Sequence, residues 1–152
     1  MAVLDTIRLT DILCSAQLKL ATPLTAQTIG TGPVKLAYAD TERIINGSCV
    51  TPSHANSRFT VSEGGDFRFT FAAAGEWGNL DEIFFTNYKN GAIINPNGGV
   101  FLIGRGAKPV LMIYDGVFTF EAGDYHEVFC NVATGSSSLV IKSATVTMER
   151  LP

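Results

Sequence analysis

The side chains of this 152-residue chain that could do chemistry are few. There are two histidines, His54 and His126, and three cysteines, Cys14, Cys49 and Cys130. A zinc or iron centre on a β-scaffold draws on two or three histidines plus a carboxylate. His126 stands beside Asp124 and Glu127, but alternation along a strand sends His126 and Glu127 to opposite faces. His54 falls in the polar stretch Thr51-Pro52-Ser53-His54-Ala55-Asn56. Packed or solvated imidazoles are expected at both positions, and neither a metal nor any other cofactor. Asp81 and Glu82 are adjacent, and Asp115 and Asp124 are expected in loops, where carboxylates can gather around calcium, yet no EF-hand spacing joins them. Isolated loop acids serve first as turn formers.

Nucleophilic chemistry finds no better footing. Cys49 and His54 are a sequence-close nucleophile–base pair, and a Ser-, Pro- and Asn-rich loop does not preorganise it. No Gly-x-Ser-x-Gly elbow occurs, and Ser136 to Ser138 reads as a turn. Gly104-Arg105-Gly106-Ala107-Lys108-Pro109 superficially suggests a phosphate loop, but it lacks the Gly-Lys-Ser/Thr ending and the helix that must come after it. It reads as a connection between strands. Trp77, in Gly75-Glu76-Trp77-Gly78-Asn79, reads as a loop residue that either stacks on a sugar or plugs one end of a sandwich. Asn46-Gly47-Ser48 matches the N-glycosylation pattern, though residues 1–20 show no secretory leader. No catalytic residue is assigned, and the chain is expected not to be an enzyme.

The elements that must position these groups are strands. Asp66 to Phe71 alternates, with Phe67, Phe69 and Phe71 on one face and Asp66, Arg68 and Thr70 on the other. Asn90-Gly91, Asp115-Gly116, Ala122-Gly123-Asp124 and Gly135-Ser136-Ser137-Ser138 punctuate the rest of the chain, with the turn chemistry hairpins use. The strands are expected at 34–39, 44–46, 58–62, 66–73, 82–89, 100–104, 110–114, 117–121, 125–133 and 139–151. No long segment has a helical period, so the fold class is all-β, an antiparallel two-sheet sandwich. In the last strand Val140, Ala144, Val146 and Met148 share a side that only Lys142 interrupts.

Residues 1–33 differ. Ile7, Leu9, Ile12, Leu13, Leu18 and Leu20 sit among polar residues without a sustained period, and a Thr/Pro/Gly segment comes next. Thr6 to Thr10 alternates as a strand would, and a short helix over Asp11 to Leu20 is the other option. Two organisations fit: an extended arm (1–33) packing on neighbouring subunits ahead of a sandwich domain (34–152), or a first strand plus a long surface loop. The domain division adopted is the first.

Composition narrows the partners. The chain is 46% hydrophobic and only 16% charged, with ten phenylalanines and a mean hydropathy of +0.22. Charge this low in a small sandwich points to surface hidden against other chains. A net charge of −3 with no cationic cluster excludes phosphate-backbone binding, so no direct nucleic-acid ligand is expected. No apolar stretch approaches the ~20 residues of a membrane-spanning helix, and no membrane partner is expected. The odd cysteine count at irregular spacing reads as buried reduced thiols, with Cys130 on the apolar row Val128, Cys130, Val132.

Four segments carry a family resemblance across Val34 to Pro152. They are Phe59-Thr60-Val61-Ser62-Glu63-Gly64-Gly65-Asp66-Phe67-Arg68-Phe69, Asn87-Tyr88-Lys89-Asn90-Gly91, Phe118-Thr119-Phe120-Glu121-Ala122-Gly123-Asp124-Tyr125, and the terminal strand Ala144 to Leu151. Together they resemble the tumour-necrosis-factor/complement-type jelly roll, in the form found in bacteriophage structural proteins. The chain departs from it where Asp66 separates Gly65 from the aromatic strand, and in its N-terminal arm. The resemblance implies a ten-strand, two-sheet jelly roll that associates as a homotrimer. Glu82 to Lys89 is apolar on both faces, with Ile83 and Phe85 on one and Phe84 and Tyr88 on the other. A strand covered by the core on one side and a neighbour on the other has this pattern, so these four residues are the candidate trimer or partner interface.

The functional expectation is a capsid cement or decoration protein. It would bind the major capsid protein on the exterior of a phage shell after synthesis in the host cytoplasm, with the arm residues Ile7, Leu9, Ile12, Leu13, Leu18 and Leu20 reaching the capsid. The alternative is a receptor- or glycan-binding module of a phage tail fibre, with Trp77 as the sugar contact and Tyr88 and Tyr125 as further exposed aromatics.

Overall fold

The structure, a computed structural model, describes residues 14–78, 80–94 and 100–152, with Val100, Phe101 and Ala107 described by their backbone alone. It is all-β, built from β1 (Ser15–Leu20), β2 (Gln27–Gly30), β3 (Val34–Lys35), β4 (Thr41–Asn46), β5 (Val50–Ser53), β6 (Arg58–Val61), β7 (Gly65–Trp77), β8 (Glu82–Lys89), β9 (Ala92–Ile93), β10 (Val100–Ile103), β11 (Gly106–Phe120), β12 (Tyr125–Val132) and β13 (Ser136–Arg150). One sheet runs β11-β7-β13-β1-β4, with β2 also on β13. The other runs β10-β8-β12-β6-β5, with β3 on β12 and β9 on β8. Every pairing among the described residues is antiparallel, and the whole is a jelly-roll sandwich.

The alternation of β7 sets the core. Phe67, Phe69, Phe71, Ala73 and Trp77 are buried, while Asp66 and Arg68 are exposed on the opposite face. Phe69 meets Phe59 edge-on across the sandwich at 6.3 Å, and Phe67 meets Phe120 at 5.8 Å. Each such ring contributes roughly 1.5–3 kcal/mol by leaving water. Trp77 closes one end of this core. Its Nε1 donates to the Asp81 carbonyl at 3.0 Å, and its ring lies edge-on to Phe85. A Cβ on Gly104 would stand 2.0 Å from the Gly78 carbonyl and 2.5 Å from the indole.

Punctuation behaves as expected in two places. Asn90 and Gly91 both take positive φ, 53° and 78°, as a tight hairpin between β8 and β9 needs. Gly123 takes 92°, and Asp124 closes its turn by accepting the Glu121 N–H. Asp115-Gly116 behaves otherwise, because β11 runs through it without a turn. Asp115 is held from the neighbouring strand by Arg68, and a Cβ on Gly116 would meet the Tyr114 hydroxyl at 2.7 Å and the Phe118 ring at 3.1 Å. The glycine makes room for two rings, so the two strands expected at 110–114 and 117–121 are one. Ser136 to Ser138 likewise opens β13 and pairs with β2.

β13 also changes phase. A register shift between Ile141 and Ser143 places Lys142 as an extra residue, with its ammonium on Glu76 at 2.9 Å outside the core. Leu139 and Ile141 are therefore buried before the bulge, and Ala144, Val146 and Met148 after it. The unbroken row expected through Val140 does not form.

The described part of the expected arm is sandwich. β1 lies between β13 and β4 as an inner strand, neither arm nor helix, with Ala16, Leu18 and Leu20 buried and Lys19 exposed. Leu18 and Leu20 thus pack in the core of their own subunit and cannot reach a capsid. Pairing on both edges overrides a local pattern that reads equally as helix. Ile7, Leu9, Ile12 and Leu13 lie outside the described residues.

The cysteines divide. Cys14 and Cys49 form a disulfide rather than two reduced thiols, with Cα atoms 5.8 Å apart, tying the start of β1 to the start of β5 and so one sheet to the other. Spacing alone does not pair them, since 35 residues separate the two. Cys130 is free and buried as expected.

These contacts make two predictions about stability. Reducing the Cys14–Cys49 bond, or the double substitution Cys14→Ser/Cys49→Ser, frees a 35-residue loop in the unfolded chain. The expected loss is about 4 kcal/mol, read from urea unfolding with and without reductant. Gly104→Ala forces the end plug apart and is expected to lose about 1–3 kcal/mol, with Trp77 emission shifting to the red.

Candidate functional site

Among the described residues no group of three His, Cys, Asp or Glu side chains gathers as a metal site would. The four acids do not converge: Asp81 and Glu82 stand at the start of β8, Asp115 lies within β11 rather than in the expected loop, and Asp124 is in the turn before β12. Asp115 accepts from Arg68 Nε and Nη2 at 2.9 and 2.7 Å, and the guanidinium holds its carboxyl below the ordinary carboxylate range. Asp124 accepts the Glu121 N–H and is likewise held low. Cys49 is in the disulfide, which removes it as a nucleophile, and His54 pairs with Glu42 through Nδ1 at 2.9 Å.

His126 is fully buried. Its Nε2 lies 3.0 Å from Asn87 Oδ1, its ring sits 4.0 Å from that of Phe69, and Nδ1 has no hydrogen-bond partner among the described residues. Glu127 points the other way and pairs with Lys35. His126 is a neutral core residue with no open space around it for a substrate.

The residues proposed for contacts are split by the structure. Ile83 and Phe85 point into the sandwich, so neither is available to a partner. Phe84 and Tyr88 lie on the outer face of the second sheet, where Tyr88 stacks on Phe129 at 4.1 Å and is itself largely covered. Tyr125 lies under the Arg58 guanidinium at 4.9 Å. Trp77 is only 3% exposed and cannot stack on a sugar, which takes the alternative reading's named contact away.

The exposed apolar surface lies elsewhere. On the outer face of the first sheet, Leu111 and Ile113 of β11 stand opposite Ala74 and Ala72 of β7. Leu111 is 63% exposed, and Ile113 and Val117 are close behind. Leu80 (73% exposed) and Ile103 continue this surface around the β10–β11 end, where a hollow of about 630 Å³ is lined by Leu80, Leu102, Ile103, Arg105, Pro109 and Leu111. Below it, Arg68, Asp115, Thr70 and Glu149 form a polar network. At the far edge, Ile44 and Ile45 of β4 are exposed as well. Exposed aliphatics at this density are what a single soluble chain avoids. Leu111-Met112-Ile113 carried the signal in the sequence: an unbroken apolar run puts aliphatic side chains on both faces of a strand.

The buried histidine gives a pH prediction. Burial holds the His126 pKa down to about 3 from an ordinary 6.5, so the unfolded chain takes up that proton before the folded one. Its contribution is full above pH 6.5 and drains as the pH falls toward 3, by up to roughly 1.4 kcal/mol per pH unit. Urea midpoints measured between pH 7 and 4.5 are expected to fall steeply for the parent chain and more shallowly for His126→Gln. Parallel slopes would contradict this placement of the imidazole.

No family model and no curated protein sequence matches the chain, but solved structures do. The globular domain of a zebrafish complement 1qA protein superposes with a TM-score of 0.63 at 12% identity, over 92% of this chain and 98% of that one. Eiger TNF from S. frugiperda gives 0.57 at 11% identity over 92% of each. Murine APRIL gives 0.51 at 10% identity, over 85% of this chain and 98% of that one. The strand order, the two-sheet closure and these superpositions agree that the chain has the jelly-roll fold of the tumour-necrosis-factor and complement C1q domains.

Proposed function

We propose that this chain is a non-enzymatic structural module that associates with itself as a homotrimer and decorates the exterior of a phage capsid as a cement protein. The observation that carries the reading is the exposed aliphatic surface of the first sheet, Leu111, Ile113 and Val117 with Leu80 and Ile103 beside them. Burying such residues against another chain contributes roughly 1.5–3 kcal/mol each. Next to it, Arg68 pairs with Asp115 and stands 3.9 Å from Glu149, which gives the aliphatic surface a charged border. The shared fold and the segments that resemble phage structural proteins support the same reading.

The mechanism is mass action. A trimer that binds only the assembled shell, touching neighbouring copies of the major capsid protein, stabilises the shell by its binding free energy. Three linked weak contacts act as one strong one.

Light scattering on the purified chain, alone and with phage shells lacking their decoration, tests the reading. A mass three times 16.3 kDa, co-sedimentation with shells and a raised shell melting temperature are expected. A monomer at all concentrations that leaves shells unchanged would overturn it.

A further inference from the structure

We infer that the hollow at the β10–β11 end is a binding site for an aliphatic carboxylate, with Arg105 taking the head group and Leu80, Ile103 and Leu111 taking the tail. The inference stands apart from self-association. It concerns the concavity at the end of the sandwich, and nothing in it depends on the chain meeting a second copy.

Backbone holds the base of the hollow. Gly104 donates its N–H to the Asp81 carbonyl at 2.8 Å, and its own carbonyl accepts the Leu80 N–H at 2.9 Å. The Trp77 plug lies directly against Gly104, and Leu102 and Val110 pack onto the core from the same end. A concavity of about 630 Å³ on a fixed base is in the range that takes a small molecule.

The walls are aliphatic except at one point. Among the described lining residues Arg105 is the one charged group, and no carboxylate lines the hollow. Arg105 and Lys108 face each other across an antiparallel bridge, with Gly106 at φ 65° turning the chain between them. Partners across such a bridge emerge on one side, and like charges placed there repel. Neither cation makes an ion pair among the described residues. The acids nearest by are turned elsewhere. The Asp81 carboxylate lies over Gly78, where an added Cβ would fall 1.8 Å from it, and Glu82 stands opposite Ile103 in β8 without lining the hollow. A ligand carboxylate matches the guanidinium fork and offsets the repulsion behind it. An aliphatic tail covers walls that otherwise face water.

Leu80 adds an independent observation. Its φ is 64°, in the left-handed region that a bulky side chain avoids. At 73% exposed, the side chain gains little from the core that would offset this strain. Strain of this kind is retained where it sets a side chain against a ligand, and Leu80 is set against the hollow.

Calorimetric titration of the full chain with decanoate, below its micellar concentration, tests the site. One decanoate per chain is expected. Acetate, the head without the tail, and decyltrimethylammonium, the tail with the opposite charge, are each expected to bind at least about tenfold more weakly. Arg105→Gln/Lys108→Gln alters two exposed side chains, so it is expected to keep the parent melting temperature and weaken decanoate at least about tenfold. Leu80→Asn removes an aliphatic wall with a residue that tolerates positive φ. It is expected to melt at the parent temperature or above and still to bind roughly tenfold more weakly, a combination a purely structural Leu80 would not give. No decanoate binding, equal binding of the cationic surfactant, or variants that bind like the parent would overturn the site. Light scattering on the same samples separates the two readings. A chain that forms trimers and ignores decanoate overturns the site alone, whereas a chain that takes decanoate and stays monomeric supports the site and overturns the trimer.

Discussion

Burial of the inward row of β7, from Phe67 through Phe69, Phe71, Ala73 and Gly75 to Trp77, is the constraint on which the remaining structure hangs. The row grades from large rings to small residues and ends in a large one, and each neighbour is fitted to it. Where the row narrows at Gly75, a Cβ would press on Met112 at 3.0 Å and on the Val140 carbonyl at 3.3 Å. There β13 takes its bulge, which lets Leu139 and Ile141 fill the core on one side of the narrowing and Ala144 on the other. At the wide end Phe69 packs on the His126 ring, leaving the imidazole neutral and out of reach of water. A core this closely fitted is what gives one packing rather than many.

That constraint also explains the absence of chemistry at the residues best equipped for it. His126, Cys130 and the Tyr38 phenol are all spent inside the sandwich. Burial raises the thiol to about 12 and the phenol well above its ordinary range, while it lowers the imidazole. Each is held in its neutral form, the state a packed core requires and a nucleophile or general base does not use. What remains for function is the outside of the sandwich, where aliphatic side chains stand exposed on the first sheet and the second sheet carries stacked aromatics.

Much of the fold was legible in the residues. Period-two alternation located β7, and β8 fell on the expected limits, Glu82 to Lys89. Asn90-Gly91 and Gly123-Asp124 fixed two turns through backbone demands that few residues meet. The failures have a common physical cause, which is that a distant strand decided the local outcome. Asp115-Gly116 has the composition of a turn, but pairing with β7 across its whole length keeps β11 extended. Ser15 to Leu20 is too short and mixed to declare itself until β13 and β4 bracket it. The Cys14–Cys49 bond depends on two sheets meeting, which no spacing rule encodes. β8 is double-sided in sequence because its outer face carries Tyr88, which stacks on Phe129 of its own sheet, while exposed aliphatics of the first sheet stand on β11 and β4.

The central claim is that the aliphatic surfaces of the first sheet are contact surfaces between chains. Hydroxyl-radical footprinting across a dilution series reads this side chain by side chain. The account predicts that oxidation of Leu111, Ile113 and Ile44 falls as concentration rises through the assembly range, while Tyr125 and Phe129 on the second sheet react at a constant rate. Concentration-independent oxidation of the aliphatic residues, or protection confined to the second sheet, would contradict it.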